Sequence, residues 1–400
     1  MEGHPAHPVA AGAGAGAAGA IGAFSASPDL TRTLRAFVVI GALTVMAGLV
    51  FAPARTGANV LIVSFYLLTL GLGAAFFVAL NYVADGTWSI AFRRVPEAMT
   101  GVLPAAGGLV LLVLLAGGPL YPWTHETLDG FKGFWLDRPF HLVRAVVYLG
   151  VWLALVRSIV RHSRDQDTDG LRAHQSGNER QSAIFLVVFA VTFWLASVDW
   201  IMSLEPHWFS TMFGLYNFAG LFLTGLAAIA VLTIWLGRRT ELGRAVTVAH
   251  YHDLGKLIFA FSTFWAYIWF CQYMLIWYVN NPEETVYFTR RLEGGWLWMI
   301  VLTVLLNWVV PFVVLMSRAA KRRPGILFRV GIVILLGRWV DLHVMIMPAI
   351  TDAPPPIGFW EFGAILGGLG LFGLTFLRAL GSAPMVPAQD VYLRESLELH

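Results

Sequence analysis

From residue 34 onward the chain alternates between long apolar runs and short polar breaks. Ten runs reach spanning length: 34–53, 58–83, 98–117, 139–160, 182–204, 210–236, 255–279, 294–317, 325–348 and 357–379. Each meets or approaches the ~20 residues an α-helix needs to cross ~30 Å of hydrocarbon. Helix is the expected form because backbone groups in lipid must be satisfied within their own segment, and a barrel would instead show ~10-residue alternating stretches. The pattern predicts an all-α polytopic membrane protein of about ten transmembrane helices.

The polar breaks predict an orientation. One side takes the N-terminal tail, the loops after the second, fourth, sixth and eighth helices, and the C-terminus. It holds 20 of the 27 Lys and Arg, among them Arg93, Arg94, Arg157, Arg161, Arg164, Arg238, Arg239 and Lys321. The other side holds Arg55, Lys132, Arg138, Arg144, Arg290 and Arg291, and Arg338 lies inside a helix. By the positive-inside rule both termini are cytoplasmic. Residues 1–30, an Ala/Gly-rich stretch without the cationic start of a secretory signal, read as a retained flexible tail. Residues 31–380 form the membrane domain, and 381–400 a cytoplasmic C-terminal tail. His4 and His7 read as incidental residues of the first tail.

Composition narrows the class. The chain is 58% hydrophobic and 13% charged, against about 25% charged in a soluble domain, so a water-facing surface of ordinary composition cannot be built. A soluble enzyme, a nucleic-acid binder and a disordered scaffold are disfavoured. Cys271 is the one cysteine, which excludes an intrachain disulfide, a Cys-rich zinc site or a cysteine-held iron–sulfur cluster.

Ionisable groups within hydrocarbon cost at least ~2.5–3.5 kcal/mol each, so those present need a reason. His141 and Arg144 open the fourth span, and Asp199 lies about 7 Å inside the outward end of the fifth at 1.5 Å per residue. Arg338, Asp341 and His343 lie in the outward half of the ninth. Arg338 and Asp341 are three apart, hence on one face. They form either a structural ion pair or, with His343, a proton-handling group in a wet cavity. Glu361, one turn into the tenth, is expected to be hydrated. His141 and Asp199 start and end adjacent helices at one depth. They read equally as a helix cap beside a satisfied aspartate, or as the acid–base pair of a quinol pocket with Trp200 and Trp208 as stacking walls. A faint repeat places a proline seven residues after each aspartate (Asp199–Pro206, Asp341–Pro348), consistent with equivalent bundles formed by helices two to five and six to nine.

Other chemistries find no support in the pattern. A bis-histidine haem needs two deep histidines on facing helices. His250 and His252 read as loop residues. No nucleotide-binding glycine loop, zinc-protease signature or nucleophile motif is visible. Gly71-Leu72-Gly73-Ala74 and Gly367-Gly368-Leu369-Gly370 read as close helix packing.

The stretch Ser197-Val-Asp-Trp-Ile-Met-Ser-Leu-Glu-Pro-His-Trp-Phe-Ser210, together with residues 265–280 and Gly337-Arg-Trp-Val-Asp341, resembles the polysulfide-reductase/NrfD-type membrane subunits. Within them it is most similar to the ActF-type subunits of alternative complex III, a bacterial quinol:electron-acceptor oxidoreductase. The resemblance spans roughly residues 30–380. It implies two four-helix bundles (helices 2–5 and 6–9) flanked by two further helices, in the bacterial inner membrane. It implies no redox metal on this chain, with iron–sulfur clusters and c-type haems on partner subunits, a paralogous NrfD-like subunit beside it, and menaquinone or another quinone as the ligand. The positions matching a quinone pocket are His141, Asp199, Trp200 and Glu205. The positions matching a proton path are Asp341, Arg338, His343, Asp199 and Glu205. The outward loop 118–138 is the expected surface for a neighbouring subunit. Two further readings stay open: a stand-alone proton-coupled secondary transporter, and a redox-inert anchor of the complex.

Overall fold

The computed structural model describes residues 22–399 apart from 119 and 352. The calls on His4 and His7, and on the tail up to residue 21, lie outside the described residues. Among the described residues ten helices are long and apolar enough to cross a membrane: α1 (Pro28–Phe51), α2 (Pro53–Val83), α3 (Arg94–Ala116), α4 (Arg138–Asp169), α5 (Ala173–Leu204), α6 (Phe213–Gly237), α7 (Val248–Val279), α8 (Trp296–Leu315), α9 (Pro324–Ala349) and α10 (Phe359–Leu380). No strand occurs among the described residues.

Local chemistry sets the helix ends. The Ser27 hydroxyl accepts from Leu30 N–H at 3.3 Å, and Pro28 follows at the first helical position, where its missing N–H costs nothing. α1 therefore begins inside the stretch expected to be tail. α4, α5 and α7 run about two turns further at the arginine-rich end than hydropathy suggests, since helix persists where lipid ends. Gly170, at φ +65°, terminates α4 in the left-handed conformation that glycine adopts without strain. His250 is a correction to the loop reading. It lies in the first turn of α7, fully buried, with Nδ1 accepting from Thr247 N–H at 2.9 Å.

α2 to α5 pack in one closed ring of four, and α6 to α9 in a second. α2 against α6 forms the seam between them, with α5–α6 and α2–α9 contacts beside it. α2, α6 and α9 are buried for most of their length. α1 and α10 lie together against α2 as the flanking pair. Glycines make these seams close. A Cβ on Gly73 would fall 2.7 Å from the Leu221 carbonyl oxygen across the α2–α6 seam, and one on Gly41 2.3 Å from Gly367 Cα between α1 and α10. The small-residue runs at 71–74 and 367–370 therefore sit at packed interfaces. Apolar side chains of the peripheral helices, such as Leu43, Val147, Val187, Phe270 and Val313, remain exposed, the surface expected of a chain that faces acyl chains.

Residues 381–399 fold back across the arginine-rich end. Val386 and Ser396 are fully buried. The Ser396 hydroxyl donates to Trp88 O at 3.0 Å and accepts from Ala91 N–H at 3.1 Å.

Candidate functional site

The two aspartates singled out from the sequence occupy similar settings in the two bundles. Asp199, near the end of α5, is fully buried. Arg144, three residues beyond His141 on α4, meets it bidentately, with Nε to Oδ2 and Nη2 to Oδ1 both at 3.0 Å. Trp135 Nε1 donates to Oδ1 at 2.8 Å and the Tyr148 hydroxyl to Oδ2 at 3.3 Å. Each carboxylate oxygen therefore accepts two hydrogen bonds, about its full lone-pair capacity. The Arg144 guanidinium also lies over the Trp135 ring at 4.1 Å and donates to the Trp135 carbonyl at 2.8 Å.

His141 does not meet this carboxylate. Its Nε2 lies 3.0 Å from the main-chain carbonyl of Asp199, and its ring packs against Trp123. Trp200 points into the first bundle, against Tyr148 and Trp152. Tyr121, outside the spans, donates its hydroxyl to Trp200 O at 2.8 Å, and burial raises its pKa. A quinol hydroxyl approaching Asp199 as arranged would have to displace Trp135 or Tyr148. An apolar groove of about 440 Å³ between α1, α2, α3 and α10 offers Met46, Leu112 and Leu120 but no side chain able to bind a ring oxygen.

Asp341, on α9 in the second bundle, is buried. Arg338 on its own helix and the Tyr216 hydroxyl on α6 both donate to it, so the expected i,i+3 pair forms. Gly220 on α6 makes room, since a Cβ there would fall 2.0 Å from Arg338 Nη2. Beyond Asp341 lies a small cavity of about 20 Å³, shared with Gln272, Thr303, Tyr287 and Arg291. That volume holds about one water, and the wall offers the polar partners such a water needs.

The far wall comes from the polar break between the seventh and eighth apolar runs. Residues Pro282–Leu292 are a helix, with Asn281 Oδ1 accepting from Glu283 N–H at 3.3 Å. It carries Arg291, buried and donating to the carbonyls of Val344 (3.0 Å), Met345 (2.9 Å) and Tyr287 (2.8 Å). Arg291 pairs with Glu205 at 3.2 Å. Its guanidinium lies 3.4 Å over the Tyr287 ring, which stacks on Trp208 at 4.0 Å. Burial pushes the Tyr287 phenol up to about 12, against the opposing pull of Arg291. Outside this wall, Glu205 faces an open vestibule of about 750 Å³ at the aromatic end, with Glu126, Lys132, His207, Glu283 and Arg290 around it.

Asp341, paired with Arg338, thus borders a small cavity whose far wall, Arg291, pairs with Glu205, whereas Asp199 and His141 lie in a separate cluster in the other bundle. Trp208 belongs with Glu205, apart from Trp200. His343 faces away, between Trp296 (5.9 Å) and Trp339 (5.2 Å), with neither ring nitrogen bonded among the described residues. Glu361 corrects the expectation of a hydrated acid. It is buried and takes Arg55 bidentately (Nε 2.8 Å, Nη2 2.6 Å) and Asn59 at 2.9 Å. The acid lies between α2 and α10, so partners eight helices away in sequence exclude water from a position one turn from the helix end. Arg291, Tyr287, Trp135 and Tyr148 did not stand out as site residues in the sequence. Only Arg291 had a visible signal, the capped pattern Asn281-Pro282-Glu283-Glu284 ending in Arg290-Arg291.

Searched against family models the chain matches none, and no curated protein is significantly similar to it.

Proposed function

We propose that this chain is a membrane subunit of a quinol:electron-acceptor oxidoreductase of the alternative complex III kind. It carries protons, while electrons travel through iron–sulfur and haem groups on partner subunits. Its arginine-rich end faces the cytoplasm of a bacterial inner membrane. The observation that carries the reading is the linked set Arg338–Asp341–Tyr216, a one-water cavity, Arg291 and Glu205, ending in an aqueous vestibule. A buried carboxylate beside a water-sized polar cavity can take up and release a proton, and intramembrane ionisable groups mark such paths.

The Arg291–Glu205 pair stands between cavity and vestibule. With the pair made, the passage is closed. Protonation of Glu205 from the vestibule side weakens the pair, frees the guanidinium and lets a water bridge through. Glu205 then gives that proton to the water, and the Asp341 carboxylate, held until then by Arg338 and the Tyr216 hydroxyl, takes it up while Glu205 pairs with Arg291 again. The Asp199 cluster, with every acceptor position filled, serves in this reading as the brace that fixes α4 to α5. Quinone binding beside His141, Asp199 and Trp200 would require the loop carrying Trp135 to move.

The test is Asp341→Asn in the assembled complex. The expected result is fewer protons translocated per electron with electron transfer near the wild-type rate. Unchanged proton stoichiometry would overturn the reading. Isolation of the chain as a lone carrier, without haem or iron–sulfur subunits, would favour the secondary transporter.

A further inference from the structure

Four arginines gather on one groove at the arginine-rich end, and the functional set above uses none of them. The groove, about 690 Å³, lies between the start of α3, the second half of α4 and the end of α10. Arg157, Arg161 and Arg164 come from α4, where i,i+3 and i,i+4 spacing stacks side chains on one face. Arg378 comes from the last turn of α10. Two acids also touch the groove, and both are engaged. Glu97 is buried against Arg93, Arg94 and the Ser163 hydroxyl, and Asp165 lies 3.5 Å from Arg161. Among the described residues Arg157, Arg164 and Arg378 have no carboxylate within 4 Å. Arg164 gives one hydrogen bond, Nη2 to Ala379 O at 3.3 Å, while its buried Nε has no acceptor.

The position of the groove decides what kind of anion suits it. Arg157 lies nineteen residues after Arg138 and Arg378 nineteen after Phe359, roughly 28 Å along either helix at 1.5 Å per residue. That is about the thickness of the hydrocarbon layer, so the guanidiniums sit at its edge. Below them the groove is floored by Leu103, Pro104, Leu153, Val156 and Val160, which continue it toward the acyl region. A soluble anion has no use for that floor, whereas a phospholipid fills both parts. We infer that this groove is a binding site for one anionic phospholipid, its phosphodiester held by Arg157, Arg164 and Arg378 and an acyl chain laid along Leu153 and Val156. Guanidinium forks match phosphate oxygens bidentately, and basic pockets between membrane helices are suited to lipid headgroups.

The experiment compares phosphatidylglycerol with phosphatidylcholine on the full chain, reconstituted in nanodiscs of each and released for native mass spectrometry. Wild type is expected to retain one phosphatidylglycerol and to show no such preference for phosphatidylcholine. Each arginine removed should weaken retention about 5-fold, so Arg157→Gln with Arg378→Gln weakens it about 25-fold. The pair Arg238→Gln with Arg239→Gln, at the same end but outside the groove, should leave retention unchanged. Should the first double variant fail to fold, Leu153→Trp tests the floor, filling the acyl position with every arginine kept, and should also abolish retention. Equal retention in the groove variants overturns the inference. So does an equal loss in the Arg238/Arg239 control, which would mean diffuse surface charge. Displacement of the lipid by millimolar inorganic phosphate, without any lipid preference, would make it a free-phosphate site instead.

Discussion

At the scale of single residues, each bundle holds a buried aspartate between an arginine and a tyrosine, and the two differ in what surrounds them. The Asp199 carboxylate has four donors and belongs to a closed cluster. Taking two charges out of water is expensive, and removing one partner leaves the other buried and uncompensated, which costs about 3–5 kcal/mol. Arg144→Met or Asp199→Leu alone should therefore destabilise the protein by about that amount in detergent, measured by thermal unfolding. The double variant Arg144→Met/Asp199→Leu should be less destabilised than the sum of the two, because no lone charge remains. An additive result would mean the pair is not coupled. Tyr287 gives a pH prediction. Its folded pKa is about 12, above the ordinary tyrosine value of about 10. The proton is held more tightly in the folded state, so its contribution to stability is complete below about pH 10 and is lost as pH rises toward 12. The difference titration of wild type against Tyr287→Phe, followed by phenolate absorbance, should show no ionisation of this residue below about pH 11.

At the scale of helices, the seams depend on missing side chains as much as on present ones. Gly220 leaves the space that Arg338 occupies, with 2.0 Å between the ideal Cβ position and Nη2. Gly220→Val should push the guanidinium off Asp341 and lower proton translocation toward the Asp341→Asn level, while Gly150→Val, where a Cβ meets nothing within 4 Å, should not. Proton translocation by the two variants in the assembled complex provides the comparison. Gly367→Leu acts on a different seam. It should part α1 from α10 and lower the unfolding temperature, with the ring of α6 to α9 left intact. Helix identity was legible in hydropathy because each span satisfies its backbone within itself. Helix length was less so: α4, α5 and α7 continue past the membrane edge as polar helix, where an apolar scan loses them. The Pro282–Leu292 helix escaped the same scan because it is short and charged, although its cap, first-turn acids and last-turn arginines follow ordinary helix rules.

At the scale of the whole molecule, two rings of four helices share one seam at α2 and α6, and the segment after α10 ties the arginine-rich ends together. Asp390 reaches Arg93 at 2.7 Å, and Ser396 lies between Trp88 and His250. Burial opposes the charge on Arg93, yet the carboxylates of Asp390 and Glu97 outweigh it and keep its pKa raised. Truncation after residue 386 would leave Arg93 and His250 without these partners. It should lower the unfolding temperature and increase proteolysis of the 238–247 loop, which limited digestion can measure.

The order of apolar and polar residues determined by itself that the chain is a bundle of ten spanning helices, that its arginines collect at one end, and that Arg338 and Asp341 share a face. These properties depend on neighbours within a few residues or on transfer of one segment into lipid. Only the tertiary structure decided which acid is enclosed and which borders a water-sized space. It joined Glu205 to Arg291 and Glu361 to Arg55, and gave Asp199 to Arg144 rather than to the His141 ring. Those pairings depend on how each helix is rotated about its axis and where its neighbour crosses it. That is a property of packed surfaces in three dimensions, which linear spacing does not carry.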